Sequence, residues 1–104
     1  MNVYTIDVLP GADYLPLGLV QGSCIQTKHL GTDIGQSLKS MVGGELKGYS
    51  EMLEKSRDTA MQRMVAQAAA MGADAIVGVR ISSAAVMPNA AEILCYGTAI
   101  RFNR

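Results

Sequence analysis

The chain has 104 residues, 49% of them hydrophobic and 17% charged, and its nine basic residues balance its nine acidic ones. This length fits a single domain with a core of its own. The lack of net positive charge argues against nucleic acid or an anionic membrane as a partner, because both are bound by basic surfaces. Charged residues usually make up roughly 25% of a chain, so this one has few with which to cover a small domain. We therefore expect part of its apolar surface to face another copy of the chain.

The sequence predicts a cytoplasmic protein. Its first residues, MNVYTIDVLPG, lack the basic start and the long apolar stretch of a secretory signal. Its most apolar region, residues 64–81, is interrupted by Gln67, Asp74 and Arg80, so we expect no transmembrane helix.

The first part of the chain favours two strands. Residues 2–9 are rich in Val, Tyr, Thr and Ile and end before a Pro-Gly pair, which predicts the first strand. Residues 16–28 predict the second. Gly18 and Gly22 within it indicate a bend, a bulge or a close approach of another backbone.

Two helices are predicted in the middle of the chain. A short one over residues 33–42 would be capped by Thr32 or Asp33. A long one over residues 45–71 contains no proline and would end at Gly72 in the left-handed conformation. Apolar residues recur along the long helix at spacings of three, four or seven, which predicts a buried stripe. This stripe comprises Leu46, Tyr49, Leu53, Ala60, Met64, Ala68 and Met71.

The last part of the chain favours two more strands, over residues 74–82 and 92–102. The turn-rich stretch SAAVMPNAA separates them, which predicts an antiparallel hairpin with a long loop. The predicted order of elements is therefore β-β-α-α-β-β, in an α+β domain.

Several short motifs are dispersed between about Gly18 and Ile100. They are Asp33, Gly43-Gly44-Glu45-Leu46, Tyr49, Arg57, Arg63-Met64, Gly72-Ala73-Asp74-Ala75 and Tyr96-Gly97-Thr98. Together they resemble the YbjQ family of small bacterial proteins. The resemblance implies one domain over residues 1–104, with a curved antiparallel sheet around one long helix and with subunits assembled as a ring, a homopentamer. It also implies a heavy-metal-binding label and no reaction.

The junction of Gly43, Gly44 and Glu45 has two interpretations. A phosphate loop needs a following Lys and a Ser or Thr at a spacing that GGELKG lacks, and Glu45 puts a negative charge where the phosphate would lie. We favour a corner between helices, in which the glycines turn the chain and Glu45 satisfies free N–H groups at the helix start. A role for Glu45 in binding a ligand or a neighbouring subunit stays open.

Arg57 falls between Leu53 and Ala60, where the apolar stripe should continue. We favour an arginine whose aliphatic stem covers apolar surface and whose charge reaches solvent or pairs with Glu54 or Glu45. The alternative is a buried arginine that organises an interface or binds an anion.

Cys24, Cys95 and His29 are the candidate ligands for a heavy or transition metal. They show no chelating spacing, since the chain has no CxxC motif and no paired histidine. In the cytosol the two cysteines are expected to be reduced thiols. Cys24 also stands where the family resemblance implies an ordinary strand residue. A metal site is therefore expected only where a ring repeats one ligand around its axis.

Catalysis is not expected. Ser23, Cys24 and His29 are the candidate nucleophiles and base, with Asp33 as the acid that would orient the base. The sequence instead favours a non-enzymatic ring protein that binds a metal ion or small ligand at its subunit interfaces. The alternative is a purely structural or partner-binding oligomer without a ligand.

Overall fold

The computed structural model describes residues 1–27, 44–87 and 90–103, and the backbone alone of residues 27, 44–46, 49 and 87. The described elements are β1 (Asn2–Val3), β2 (Tyr14–Thr27), α1 (Gly44–Ala70), β3 (Ala75–Met87) and β4 (Ala90–Phe102). Their order is β-β-α-β-β, which corrects the predicted β-β-α-α-β-β. The short helix predicted over residues 33–42, with Thr32 or Asp33 as its cap, lies outside the described residues.

The four strands form one mixed sheet in the order β1-β3-β4-β2. The central strand β4 pairs antiparallel with both β2 and β3. β1 lies parallel to β3, with Asn2 beside Ala75. The prediction of an antiparallel sheet is therefore wrong for β1. A strand and a helix separate β1 from β3 in the chain, and a connection of this length permits parallel pairing.

The β3–β4 hairpin is longer than predicted. Its antiparallel pairing is confirmed, but the ladder continues as far as Met87 opposite Ala90, so most of the predicted loop is strand. The small residues of this stretch carry a weak strand preference of their own, and cross-strand pairing decides their conformation.

The first strand is shorter than the predicted range of 2–9, because strand geometry ends at Val3. The chain nevertheless follows the edge of β3, which bulges between Val77 and Arg80. The backbone bonds there run from Tyr4 N–H to Ile76 O (2.8 Å), from Gly78 N–H to Ile6 O (2.7 Å) and from Val79 N–H to Tyr4 O (2.9 Å).

The long helix α1 is confirmed to within one residue at each end. Ser56, Ala60, Met64 and Ala68 are fully buried, and their four-residue spacing puts them on one face of the helix. This face packs chiefly on β2 and to a lesser extent on β4. The segment of the predicted stripe from Ala60 to Ala68 is therefore confirmed.

The two ends of the predicted stripe differ from the prediction. Leu53 is half-buried and lies outside the core cluster, while Met71 stands beyond the helix end and is exposed. The side chains of Leu46 and Tyr49 lie outside what the structure describes. The fully buried positions of the described helix side chains thus begin at Ser56.

The helix ends as the sequence predicted. Gly72 has a φ of 80°, its N–H donates to Ala69 O at 3.0 Å, and the N–H of Ala73 donates to Ala68 O at 3.1 Å. These two bonds form a Schellman motif, which satisfies carbonyl groups that the last helical turn leaves free.

Apolar residues are buried on both faces of the sheet. The main cluster lies under α1 and consists of Val20, Cys24, Ala60, Met64, Ala68, Ile76, Val79, Ile93, Cys95 and Ala99. A smaller cluster on the opposite face consists of Ala75, Val77 and Ile100, with Tyr4, Leu9, Tyr14 and Phe102 packed against it. The N-terminal segment, residues 4–14, thus packs on the end of the second face that holds this smaller cluster.

Candidate functional site

The described part of α1 starts at Gly44, the second glycine of the Gly-Gly pair. Gly43 and the side chain of Glu45 lie outside what the structure describes. The two interpretations of Glu45, as a helix cap or as a residue that contacts a ligand or a subunit, therefore stay predictions.

Arg57 is exposed on α1. Within the described part of the chain no ion pair joins it to Glu54, although both side chains lie on the same helix. Its charge reaches solvent in the subunit, as the favoured interpretation expected. Whether a neighbouring subunit buries it is a separate prediction.

Cys24 and Cys95 lie 71 positions apart in sequence but on neighbouring strands of one sheet face. Cys24 pairs with Ile93 and Cys95 pairs with Gly22, so the two thiols occupy a diagonal of the β2–β4 ladder. Diagonal positions typically lie about 7–8 Å apart. Both thiols are free, and Cys24 is 6% exposed and Cys95 fully buried. The structure thus brings together two of the three predicted soft ligands, and His29 lies outside the described residues.

The environment of the two thiols opposes metal binding within one subunit. Burial raises the pKa of the Cys95 thiol above its ordinary value of 9.0, and the thiolate is the form that binds metal. Gln26 Nε2 approaches Cys24 Sγ at 3.4 Å. In the described ranges no three His, Cys, Asp or Glu residues group as metal ligands do. Two thiols supply half of a tetrahedral zinc shell.

The described residues include only two members of the candidate catalytic group, Ser23 and Cys24. Successive strand residues point to opposite faces, so Ser23 and Cys24 of β2 cannot act on one substrate atom together. His29 and Asp33, the other members, lie outside the described ranges.

Two residues that the sequence analysis did not single out for function contact the outer edge of β2. Arg63 Nη1 donates to Ser23 O at 2.6 Å, and Gln67 Oε1 accepts from Gln21 N–H at 2.7 Å. Side chains of α1 thus occupy backbone groups that a neighbouring strand would otherwise need. Residues 40 and 46 positions apart are joined here, and no local pattern signals such a contact.

Large apolar side chains lie on the sheet face turned away from α1. Leu19 is 67% exposed and Ile25 is 59% exposed, and both belong to β2. Between these two residues, Gln21 and Ser23 of β2 pair with the half-buried Tyr96 and Leu94 of β4. This group of four residues, Leu19, Ile25, Leu94 and Tyr96, which we call the outer patch, is a candidate contact surface of the described face.

Among the described residues, no helix combines the length and the apolar character that a membrane span requires.

Known proteins resemble the chain along its whole length. A family model described as "Putative heavy-metal-binding" matches residues 1–103. A UPF0145 protein of Shewanella frigidimarina is 49% identical over 98 residues, which cover 93% of this chain and 92% of that protein. A UPF0145 protein of Methanosarcina acetivorans is 52% identical over 102 residues, which cover 97% and 96%.

One solved structure has the same fold. It belongs to a protein of unknown function from the DUF74 family of Pediococcus pentosaceus, and it matches with a TM-score of 0.72 over 99% of this chain and 98% of that one. Its sequence identity is 19%, so the likeness concerns the fold alone. The sequence match over residues 1–103 and the two relatives together confirm the resemblance drawn from the dispersed motifs. The chain therefore belongs to the YbjQ family.

Proposed function

We propose that the protein is a non-enzymatic cytoplasmic subunit of a closed homo-oligomeric ring that binds a metal ion or small ligand where subunits meet. The family resemblance implies five subunits. Zero net charge supports self-association and gives no attraction to nucleic acid or anionic membranes.

The observation that carries the proposal is the outer patch. Leu19 and Ile25 each expose more than half of their surface. The chain as a whole exposes 6523 Å², whereas a folded monomer of this mass exposes about 5600 Å². Contact between subunits would remove such apolar surface from water, which contributes roughly 25 cal/mol for each Å².

A ligand at the interface fits the chemistry better than one inside the subunit. Cys24 and Cys95 offer two soft ligands in a closed core, and the raised pKa of Cys95 favours its neutral thiol. Symmetry would multiply one residue per chain into a complete set. Glu45 near the start of α1 is the candidate for such a repeated ligand. Cys24, the other residue that the sequence offered for this role, lies in the closed core under α1 and does not face a neighbouring subunit.

The alternative is an oligomer without any ligand. The burial of both thiols favours it, since free cysteines inside a core commonly act as small hydrophobic residues. The two candidates predict different contents of the purified assembly.

Native mass spectrometry and elemental analysis of protein purified without an affinity tag test the proposal. We expect one closed assembly that retains a metal or an organic molecule. A closed assembly that is empty and takes up nothing would support the structural alternative. A monomer at micromolar concentration would refute both.

Zinc and cadmium titrations identify the ligands. We expect binding by the assembly at less than one ion per chain, with loss of affinity in Glu45→Gln and no loss in Cys24→Ala, because only a ring can supply several copies of one residue and Cys24 lies in the closed core. Glu51→Gln, an exposed carboxylate of the same helix, is the matched control and should bind as the wild type does. Tight binding of one ion per chain by isolated monomers would contradict the ring-dependent site.

A further inference from the structure

The two edges of the sheet differ in how far their outward backbone groups are hydrogen-bonded within the subunit. At the β2 edge, Arg63 and Gln67 occupy backbone groups of Ser23 and Gln21. At the β3 edge, the N-terminal segment bonds to the backbone only as far as Val79. From Ile81 to Val86 every residue is exposed, and within the described part of the chain no group bonds to the outward side of this backbone. We call residues 81–86 the open edge.

The geometry identifies which groups the open edge presents. Val79 N–H donates to Tyr4 O, and Arg80 Nη1 donates to Val79 O at 2.9 Å, so the polar groups of Val79 point away from β4. N–H and C=O groups alternate sides along a strand. The groups of Ile81, Ser83 and Ala85 therefore point away from β4 as well, and they form a free row of donors and acceptors.

The sequence of the open edge, ISSAAV, leaves it unprotected. Natural edge strands avoid pairing through charges, prolines, short length or bulges. This stretch has no charge and no proline, and its one irregularity is a register shift between Ala85 and Met87 at its far end. Ile81 is 48% exposed and Val86 is 49% exposed. Residues 81–85 thus remain as a regular and uncharged edge.

We propose that residues 81–85 pair edge to edge with a strand of a second copy of this chain. A row of alternating N–H and C=O groups is the template on which another extended strand pairs. The absence of charge leaves nothing to attract a partner of opposite charge, and the neutral chain does not repel its own copies. The inference rests on the proposed ring, since it names one subunit contact of that assembly.

Hydrogen exchange of the wild-type assembly tests the pairing directly. We expect the outward amides of Ile81, Ser83 and Ala85 to exchange at least roughly 100-fold more slowly than unprotected amides, although water reaches them in the isolated subunit. Fast exchange at these three positions in an intact assembly would overturn the inference and leave the ring proposal standing. A two-subunit species with protected amides would support the pairing and refute the ring.

A matched pair of variants supplies the second measurement. Ser83→Pro removes one outward N–H while leaving the ladder to β4 without a lost donor, and Ser83→Ala keeps that N–H. We expect Ser83→Pro to raise the dissociation constant of the assembly by about tenfold or more, with Ser83→Ala unchanged. Circular dichroism checks that the subunit stays folded. Equal assembly of both folded variants would overturn the inference, and if Ser83→Pro does not fold, the exchange measurement decides alone.

Discussion

Gly22 is the residue on which the contact between α1 and β2 depends most directly. A Cβ atom built at this position would overlap the backbone of the helix, at Ala60 O and Met64 N. Backbone atoms cannot move aside as the end of a flexible side chain can. The helix therefore reaches its position over β2 only because residue 22 has no side chain, which explains the close approach that the sequence indicated.

Gly22→Ala is expected to lower the free energy of unfolding by about 3 kcal/mol, since the added methyl group forces the helix away from the sheet. Gly48→Ala is the control: Gly48 lies exposed within α1, and apart from the helix's own backbone no atom of the described residues comes within 4 Å of an added Cβ, so alanine should stabilise the helix by about 0.5–1 kcal/mol. Urea unfolding measures both. Equal effects of the two substitutions would mean that α1 does not pack on Gly22.

At the scale of elements, the packing of α1 rests on a narrow stripe of small side chains. Three of the four fully buried residues on this face, Ser56, Ala60 and Ala68, are small, and the fourth, Met64, is large. Ser56 Oγ donates to Met52 O at 2.8 Å, so its hydroxyl is satisfied within the helix. Small residues let the helix approach the sheet closely, and this leaves no room for a charge.

Ala68→Asp is expected to lower the free energy of unfolding by about 3–5 kcal/mol, because it buries a carboxylate without a partner. Ala66→Asp carries the same change to the exposed side of the helix and should cost less than about 1 kcal/mol, which is the difference in helix propensity. The melting temperatures of the two variants compare these effects. An unaltered melting temperature for Ala68→Asp would show that the buried face is assigned wrongly.

The contacts of α1 with the edge of β2 predict a second behaviour. Arg63→Ala combined with Gln67→Ala frees the carbonyl of Ser23 and the N–H of Gln21 for pairing with other molecules. We expect stronger light scattering at the same protein concentration and a stability lower by about 1–2 kcal/mol.

The control for the β2 edge is Lys55→Ala combined with Gln62→Ala. These residues likewise carry one positive charge and one amide and lie exposed on the same helix, and among the described residues no hydrogen bond or ion pair involves their side chains. Scattering that rises equally in both double variants would mean that lost surface charge, and not the opened edge, causes association.

At the scale of the whole molecule, the subunit is elongated. Its Cα radius of gyration is 16.7 Å and its extents are 53 × 22 × 16 Å, whereas a compact domain of this length has a radius of about 13 Å. An elongated chain of low charge exposes apolar surface that it does not bury within itself. The proposed association with other copies would remove that surface from water.

Sedimentation velocity is expected to give one species near 55 kDa, five times the 11.0 kDa chain, over a wide range of concentration. A closed ring has no free interface left to add subunits, so its size should not grow with concentration. A single species of another closed size would contradict only the number that the family resemblance implies. A monomer at micromolar concentration would contradict the apolar-surface argument as well.

The sequence by itself determined the elements whose signals are local. The long helix follows from apolar periodicity and from the absence of proline between Gly44 and Ala70, and its end follows from Gly72. The β3–β4 hairpin follows from two strand-like runs that are adjacent in the chain. The dispersed motifs also sufficed to identify the family, since they did not depend on knowing the contacts between them.

Tertiary structure alone decided the arrangements that join distant residues. It set β1 parallel to β3, it brought Cys24 and Cys95 to one face, and it put Arg63 against the edge of β2. Each depends on where a whole element docks, and docking is determined by the sum of many weak contacts across 40 or more positions of sequence. Hydrophobic periodicity specifies which face of an element is buried, but it does not specify the partner against which that face packs.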